Sequence, residues 1–127
     1  MKTKFVYLTV LSFLLASVVI VSCHKSYSSP GMTPAAASVT IKNMEFSPGS
    51  LSVIAGSTVT WTNSDTTIHT VTADDGSFNS GNIAVGATYS KVFNTAGTFS
   101  YHCTIHPEMT GKVIVTASSA GGGSGGY

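Results

Sequence analysis

A chain of 127 residues is long enough for one domain and too short for two. From Cys23 onward it carries four lysines (Lys25, Lys42, Lys91, Lys112), no arginine and five acids (Glu45, Asp65, Asp74, Asp75, Glu108), a formal charge of −1. A nucleic-acid binder would show a clustered basic face. There is none, and nucleic acid is excluded as a partner.

Residues 1–22 read as a leader rather than as fold. Lys2 and Lys4 precede the apolar run Phe5 to Val21, the charge and hydropathy order of an export signal. The run ends at Ile20-Val21-Ser22-Cys23, which resembles a bacterial lipobox, where the cysteine is acylated and becomes the mature N-terminus. The alternative is an uncleaved anchor, because the run is only just long enough to span a bilayer. A cysteine directly after a small residue favours the lipobox. On either reading the domain is expected to be exported and held on a bacterial membrane, facing the periplasm or the cell exterior, with lipid on Cys23. Residues 23–37 are rich in Ser, Pro, Gly and Ala with no apolar period, as in a flexible tether. Residues 117–127 form a Gly/Ser tail that cannot bury a core. The folded unit is therefore expected over 38–116, near the small end for an independent domain.

Within that unit the apolar period is two. Ser38 to Lys42 alternates, and Leu51 to Ile54 is a short apolar run stopped by Ala55-Gly56-Ser57. Thr58 to Thr62 sets Val59 and Trp61 on one face and three threonines on the other. Thr70-Val71-Thr72 alternates again, while Asp74 to Val85 reads as a loop. Tyr89 to Phe93, Phe99 to Cys103 and Lys112 to Thr116 return to strand. No stretch gives an amphipathic helix. Short β-branched runs punctuated by Gly, Pro and Asn-Ser-Asp imply an all-β antiparallel sandwich.

The chemistry lies in Tyr101-His102-Cys103-Thr104-Ile105-His106-Pro107-Glu108-Met109, spaced Cys-x2-His-x2-Met. If Cys23 carries lipid, Cys103 has no disulfide partner. A lone thiol in an oxidising compartment needs an occupant, and a metal is the simplest one. Strand alternation puts Cys103 with Tyr101 and Phe99 on the inner face and turns His102 to solvent. His24, in the tether, is read as solvated too. Pro107 bars a regular strand, so 104–108 turns back and can bring Cys103, His106 and Met109 round one point. His69, 34 residues before Cys103 at the end of a neighbouring strand, is placed to complete the set. Met109 alone would be core filler, Cys103 alone a small buried hydrophobe and His69 alone a loop residue. Their combination carries the signal. Zinc gains nothing from a thioether, whereas thiolate, imidazole and thioether together select copper in a trigonal site with a long axial bond.

Three stretches carry a family resemblance: Asn43 to Pro48, Gly56 to Asn63 and Ala96 to Val113. Residues 38–116 resemble the cupredoxins of the plastocyanin and amicyanin group, most of all the amicyanins. The resemblance implies a Greek-key β-sandwich of about eight strands with one type 1 blue copper per chain. His69, Cys103 and His106 would be the strong ligands and Met109 the weak axial one. The chain is expected to shuttle one electron between redox protein partners by Cu(I)/Cu(II), as a monomer and not as an enzyme. Catalysis at copper would need an open position or a second metal site, and two of the chain's four histidines are poorly placed. His106 would be the port, ringed by Ile105, Pro107, Ile68 and Met44. Three residues depart from the family pattern. Thr70 stands where an Asn usually ties the ligand loops together, leaving that link to a hydroxyl or weakening it. Ile105 stands where Pro is common, restoring an N–H that is expected to reach the Cys103 sulfur. Glu108 stands where amicyanins have an aromatic, which points to a partner with basic groups. Two competing functions are a module for copper delivery or buffering, and an adhesive sandwich with an incidental thiol. The first would carry exposed Met-rich or His-rich segments, which the chain lacks.

Overall fold

The structure is a computed structural model that describes residues 33–119. The leader, Cys23, His24 and the far end of the tail fall outside the described residues. Eight strands occur among those described: β1 (Ala36–Lys42), β2 (Glu45–Ser47), β3 (Ser50–Ile54), β4 (Ser57–Asn63), β5 (Thr72–Ala73), β6 (Thr88–Phe93), β7 (Gly97–His102) and β8 (Thr110–Thr116). They form two four-stranded sheets, ordered β2-β1-β4-β6 and β3-β8-β7-β5.

The expected all-β sandwich is present, but the sheets are mixed rather than antiparallel. β1 runs parallel to β4, and β3 runs parallel to β8. The physical reason is that sequential strands here pass between sheets, so spatial neighbours are not always chain neighbours. Alternation of side chains is the same in both kinds of ladder and cannot tell them apart. β1 also begins at Ala36, two residues before the expected start, because the Thr58 amide donates to Ala35 O (3.2 Å) and the Ala35 amide to Ser57 Oγ (3.2 Å).

β4 shows how the sequence pattern becomes a layer. Val59, Trp61 and Asn63 are fully buried while the threonines between them are half-exposed. Trp61 reaches across to β7, meeting Tyr101 edge-to-face with ring centroids 5.5 Å apart. Such a pair adds roughly 0.5–1.5 kcal/mol beyond the area it buries. Tyr89, Phe93 and Phe78 complete the aromatic cluster around Trp61. Phe78 and Ile83 come from the long 74–87 connection, so that excursion is nailed to the core at two points rather than loose.

β2 was not legible as a strand. It follows a two-residue hairpin turn in which Asn43 and Met44 have φ of 54° and 60° and Lys42 pairs with Glu45. Two positive φ values in succession define the type I′ turn, which favours Asn-Gly. Asn43 obeys that preference and Met44 does not. The Ser47-Pro48 peptide bond is cis. β5 is shorter than the Thr70-Val71-Thr72 alternation suggests, because the Thr70 amide turns to Cys103 Sγ and the Val71 backbone pairs with Ser80 rather than with β7.

Candidate metal centre

The loop between β7 and β8 is closed by its own backbone. The Cys103 amide donates to Met109 O (3.0 Å) and the Met109 amide to His106 O (2.9 Å). These two bonds, with Pro107 between them, fold the segment onto itself and hold Cys103 and His106 side by side. Cys103 is completely buried and lies in the core with Tyr101, as strand alternation expected. Met109 is 4 % exposed and packs within the same core at the loop's far end. His106 is half-buried.

His69 arrives from the opposite side. It is fully buried, and a two-way bridge fixes its backbone: the Ile83 amide donates to His69 O (2.8 Å) and the His69 amide to Ile83 O (3.3 Å). Asn63, at the end of β4, shapes the approach. Its Nδ2 donates to Thr67 O (2.8 Å) and Ile83 O (2.9 Å), and its Oδ1 accepts from the Asp65 amide (3.0 Å).

Three donor atoms converge. Cys103 Sγ lies 3.9 Å from His69 Nδ1 and 3.7 Å from His106 Nδ1, and the two Nδ1 atoms are 3.2 Å apart. In a triangle with those sides the equidistant point is about 2.1 Å from each corner, the length of a metal–imidazole bond and close to that of a metal–thiolate bond. Residues 34 positions apart thus frame a hole of ionic size. Soft sulfur with imidazole is a copper-type donor set, so the residues present fit that metal. His102 is not part of the cluster. Its Nδ1 pairs with Asp74 Oδ1 (2.6 Å) on the exposed side of β7, in keeping with its outward reading.

The tie between the two ligand-bearing loops is made by Thr70. Its Oγ1 accepts from the Thr104 amide (2.8 Å) and lies 3.0 Å from Thr104 Oγ1. The hydroxyl therefore takes over the link, one of the two outcomes the sequence left open. The expectation for Ile105 is corrected: among the described residues the amide that reaches Cys103 Sγ is that of Thr70, at 3.3 Å, and no bond from the Ile105 amide to the sulfur is present. The reason is the tight turn after Cys103, which gives the Thr104 amide to Thr70 and leaves Ile105 on the surface, 46 % exposed. Thr70→Val removes the acceptor from the Thr104 amide and is expected to cost about 1–2 kcal/mol in urea unfolding of the metal-free protein. Thr70→Ser should retain most of that stability.

One contributor was missed from sequence. Asp65 Oδ2 lies 3.2 Å from His69 Nε2, on the ring edge opposite the donor cluster. The Met44 and Thr66 amides, which donate to it, hold its carboxyl below the usual carboxylate range. A carboxylate only accepts, so Nε2 carries the proton and the Nδ1 lone pair faces Cys103 and His106. The signal that could have found it is a carboxylate four residues before a candidate ligand, across a loop opened by Asn63.

Comparison with known proteins agrees with this geometry. The model of the cupredoxin-like domain matches residues 12–115. Amicyanin of Paracoccus denitrificans is 31% identical over 106 residues, covering 80% of this chain and 81% of that protein. Plastocyanin of Scenedesmus fuscus is 36% identical over 82 residues, covering 56% of this chain and 84% of that protein. Among solved structures, a purple cupredoxin from Nitrosopumilus maritimus superposes with a TM-score of 0.60 at 32% identity, covering 63% of this chain and 99% of that one. The chain belongs to the cupredoxin-like family. It is an electron-transfer cupredoxin with copper as its cofactor.

Proposed function

We propose that this chain is a membrane-tethered, one-electron carrier, in which His69, Cys103 and His106 hold copper and Met109 supplies the weak fourth contact. Copper, when bound, supplies the Cu(I)/Cu(II) couple. The protein's part is to keep the donors still and dry while the charge at their centre alternates. Cys103 and His69 are fully buried, both loops are closed by their own hydrogen bonds, and Thr70 joins them. Such stiffness lowers the cost of rearranging the site at each transfer.

One observation carries the reading. Of the three converging donors only His106 reaches the surface, and it does so amid exposed apolar side chains. Met44, Ile105, Pro107 and Met109 line a groove with His106, and Met44, Ile68 and Ile105 are each more than 40 % exposed. An apolar patch of this kind marks a contact surface, and the ring at its centre gives electrons a short way in and out. Glu45 and Glu108 border the same groove, which suits a redox partner with basic groups around its docking face. No substrate bond is made or broken in this scheme, so the protein is a carrier and not an enzyme, and it acts as a monomer.

Addition of Cu(II) to the purified full-length chain is expected to give an intense blue to green colour that ascorbate bleaches and ferricyanide restores. A colourless protein that takes zinc in preference to copper would end the proposal. The tether is tested separately. Mass spectrometry should find a lipidated N-terminal Cys23, and Cys23→Ser should release the protein from the membrane fraction.

A further inference from the structure

Asp65 is held more firmly than a surface carboxylate needs to be. Its Oδ1 accepts from the Thr66 amide (2.8 Å), its own amide donates to buried Asn63 (3.0 Å), and its side chain is only 12 % exposed. Its Oδ2 serves two donors at once, the Met44 amide (2.9 Å) and His69 Nε2 (3.2 Å). Met44 sits in the left-handed turn after β1, φ 60°, and its side chain is part of the apolar groove beside His106. One oxygen thus joins the outer rim of the proposed contact surface to the edge of a buried donor ring.

We propose that Asp65 is a positioning residue of the metal centre, fixing the His69 tautomer and orientation and, through its negative charge, favouring the more highly charged oxidised state. This rests on the copper reading above. A carboxylate hydrogen-bonded to the far nitrogen of a metal-bound imidazole orients the ring and makes it a stronger donor. Among the described residues Asp65 supplies the one carboxylate that meets His69: its oxygen faces Nε2, while the other ring nitrogen faces Cys103 and His106. The charge is close to the ring and largely shielded from water, so bulk screening acts on it weakly. Stabilising the oxidised form lowers the reduction potential; removing Asp65 raises it.

The test is the midpoint potential of the full-length chain as wild type, Asp65→Asn and Asp65→Ala, with Glu108→Gln as a control for loss of an exposed charge. Asp65→Asn keeps the size and an acceptor oxygen but not the charge; Asp65→Ala loses both. Both are expected to shift the Cu(I)/Cu(II) equilibrium toward Cu(I) about tenfold, a rise of about 59 mV for a one-electron couple, with Glu108→Gln moving far less. Midpoints of both Asp65 variants within the Glu108→Gln shift would overturn the proposal. A second readout does not depend on copper. The metal-free wild type should show a slowly exchanging His69 Nε2–H proton resonance, shifted in Asp65→Asn and absent in Asp65→Ala, together with a moved Met44 amide. An unchanged resonance in Asp65→Asn would overturn the contact even if Asp65→Ala fails to fold. A colourless wild type with the expected Nε2–H behaviour would instead strike down the copper reading, and with it Asp65's effect on the potential, while leaving the tautomer in place.

Discussion

Cys103→Ala is expected to abolish both the intense colour and copper-dependent stability, while leaving the metal-free fold nearly intact. The two parts of this expectation have different causes. Cys103 is the one thiol in the described domain and is fully buried. Without it two of the three converging donors remain, both imidazoles, a set with no negative charge to offset a cation in a dry pocket. Copper-linked stabilisation follows mass action and reaches about 4 kcal/mol when free metal is 1,000 times the dissociation constant. All of that should vanish. The metal-free variant loses far less. It forfeits one small buried sulfur and leaves the Thr70 amide without its acceptor, together about 1–3 kcal/mol. Thermal melts of both proteins with and without Cu(II) separate the terms. A Cys103→Ala variant still stabilised by Cu(II) as strongly as the wild type would remove the sulfur from the site.

Much of the site was legible because its chemistry is concentrated. Cys103 and His106, which the structure brings together, fall with Met109 within seven residues after an alternating strand, and few structural reasons put a thiol, an imidazole and a thioether so close in sequence. His69 was legible because a strand end is where a second element can reach the first. The parts that stayed hidden are those that depend on backbone direction rather than residue type. Alternation places Cys103 indoors but does not tell which amide will face its sulfur, and so the donor turned out to be Thr70 rather than Ile105. Alternation likewise draws β1 and β4 correctly without revealing that they run parallel. β2 was missed because Met44 occupies a left-handed turn position where Gly would have announced the hairpin. Keeping Met there costs roughly 1 kcal/mol or more of backbone strain. On the carrier function proposed above, its place in the groove beside His106 gives that strain a functional reason.

Asn63 is the residue on which the upstream half of the site turns, and its substitution should show this. It ends β4 fully buried, and both its backbone groups are paired with one segment, the amide donating to Ala87 O (2.9 Å) and the carbonyl accepting from the Gly86 amide (2.7 Å). The side chain is therefore free to organise something else, and it makes three hydrogen bonds, two to the segment that delivers His69 and one to Ile83, the bridge partner of His69. Asn63→Ala leaves the strand pairing in place but removes all three, stranding the Asp65 amide and the Thr67 carbonyl; Ile83 O keeps its bond from the His69 amide. At about 1 kcal/mol for each lost bond, the expected loss is about 3 kcal/mol in urea unfolding of the metal-free protein. Asn63→Asp should be worse at neutral pH, although it is the closer match in shape. Its carboxylate could still accept from the Asp65 amide but would point a buried negative oxygen at the Thr67 and Ile83 carbonyls. That order, with Asp below Ala, distinguishes a network that needs a donor from a pocket that merely needs filling. The same variants should surrender copper faster to a chelator, because the loop that leads to His69 is no longer tied at Asp65 and Thr67 and only the Ile83 bridge still holds it. An Asn63→Ala protein as stable as wild type would mean that the Ile83 bridge alone holds His69 in place.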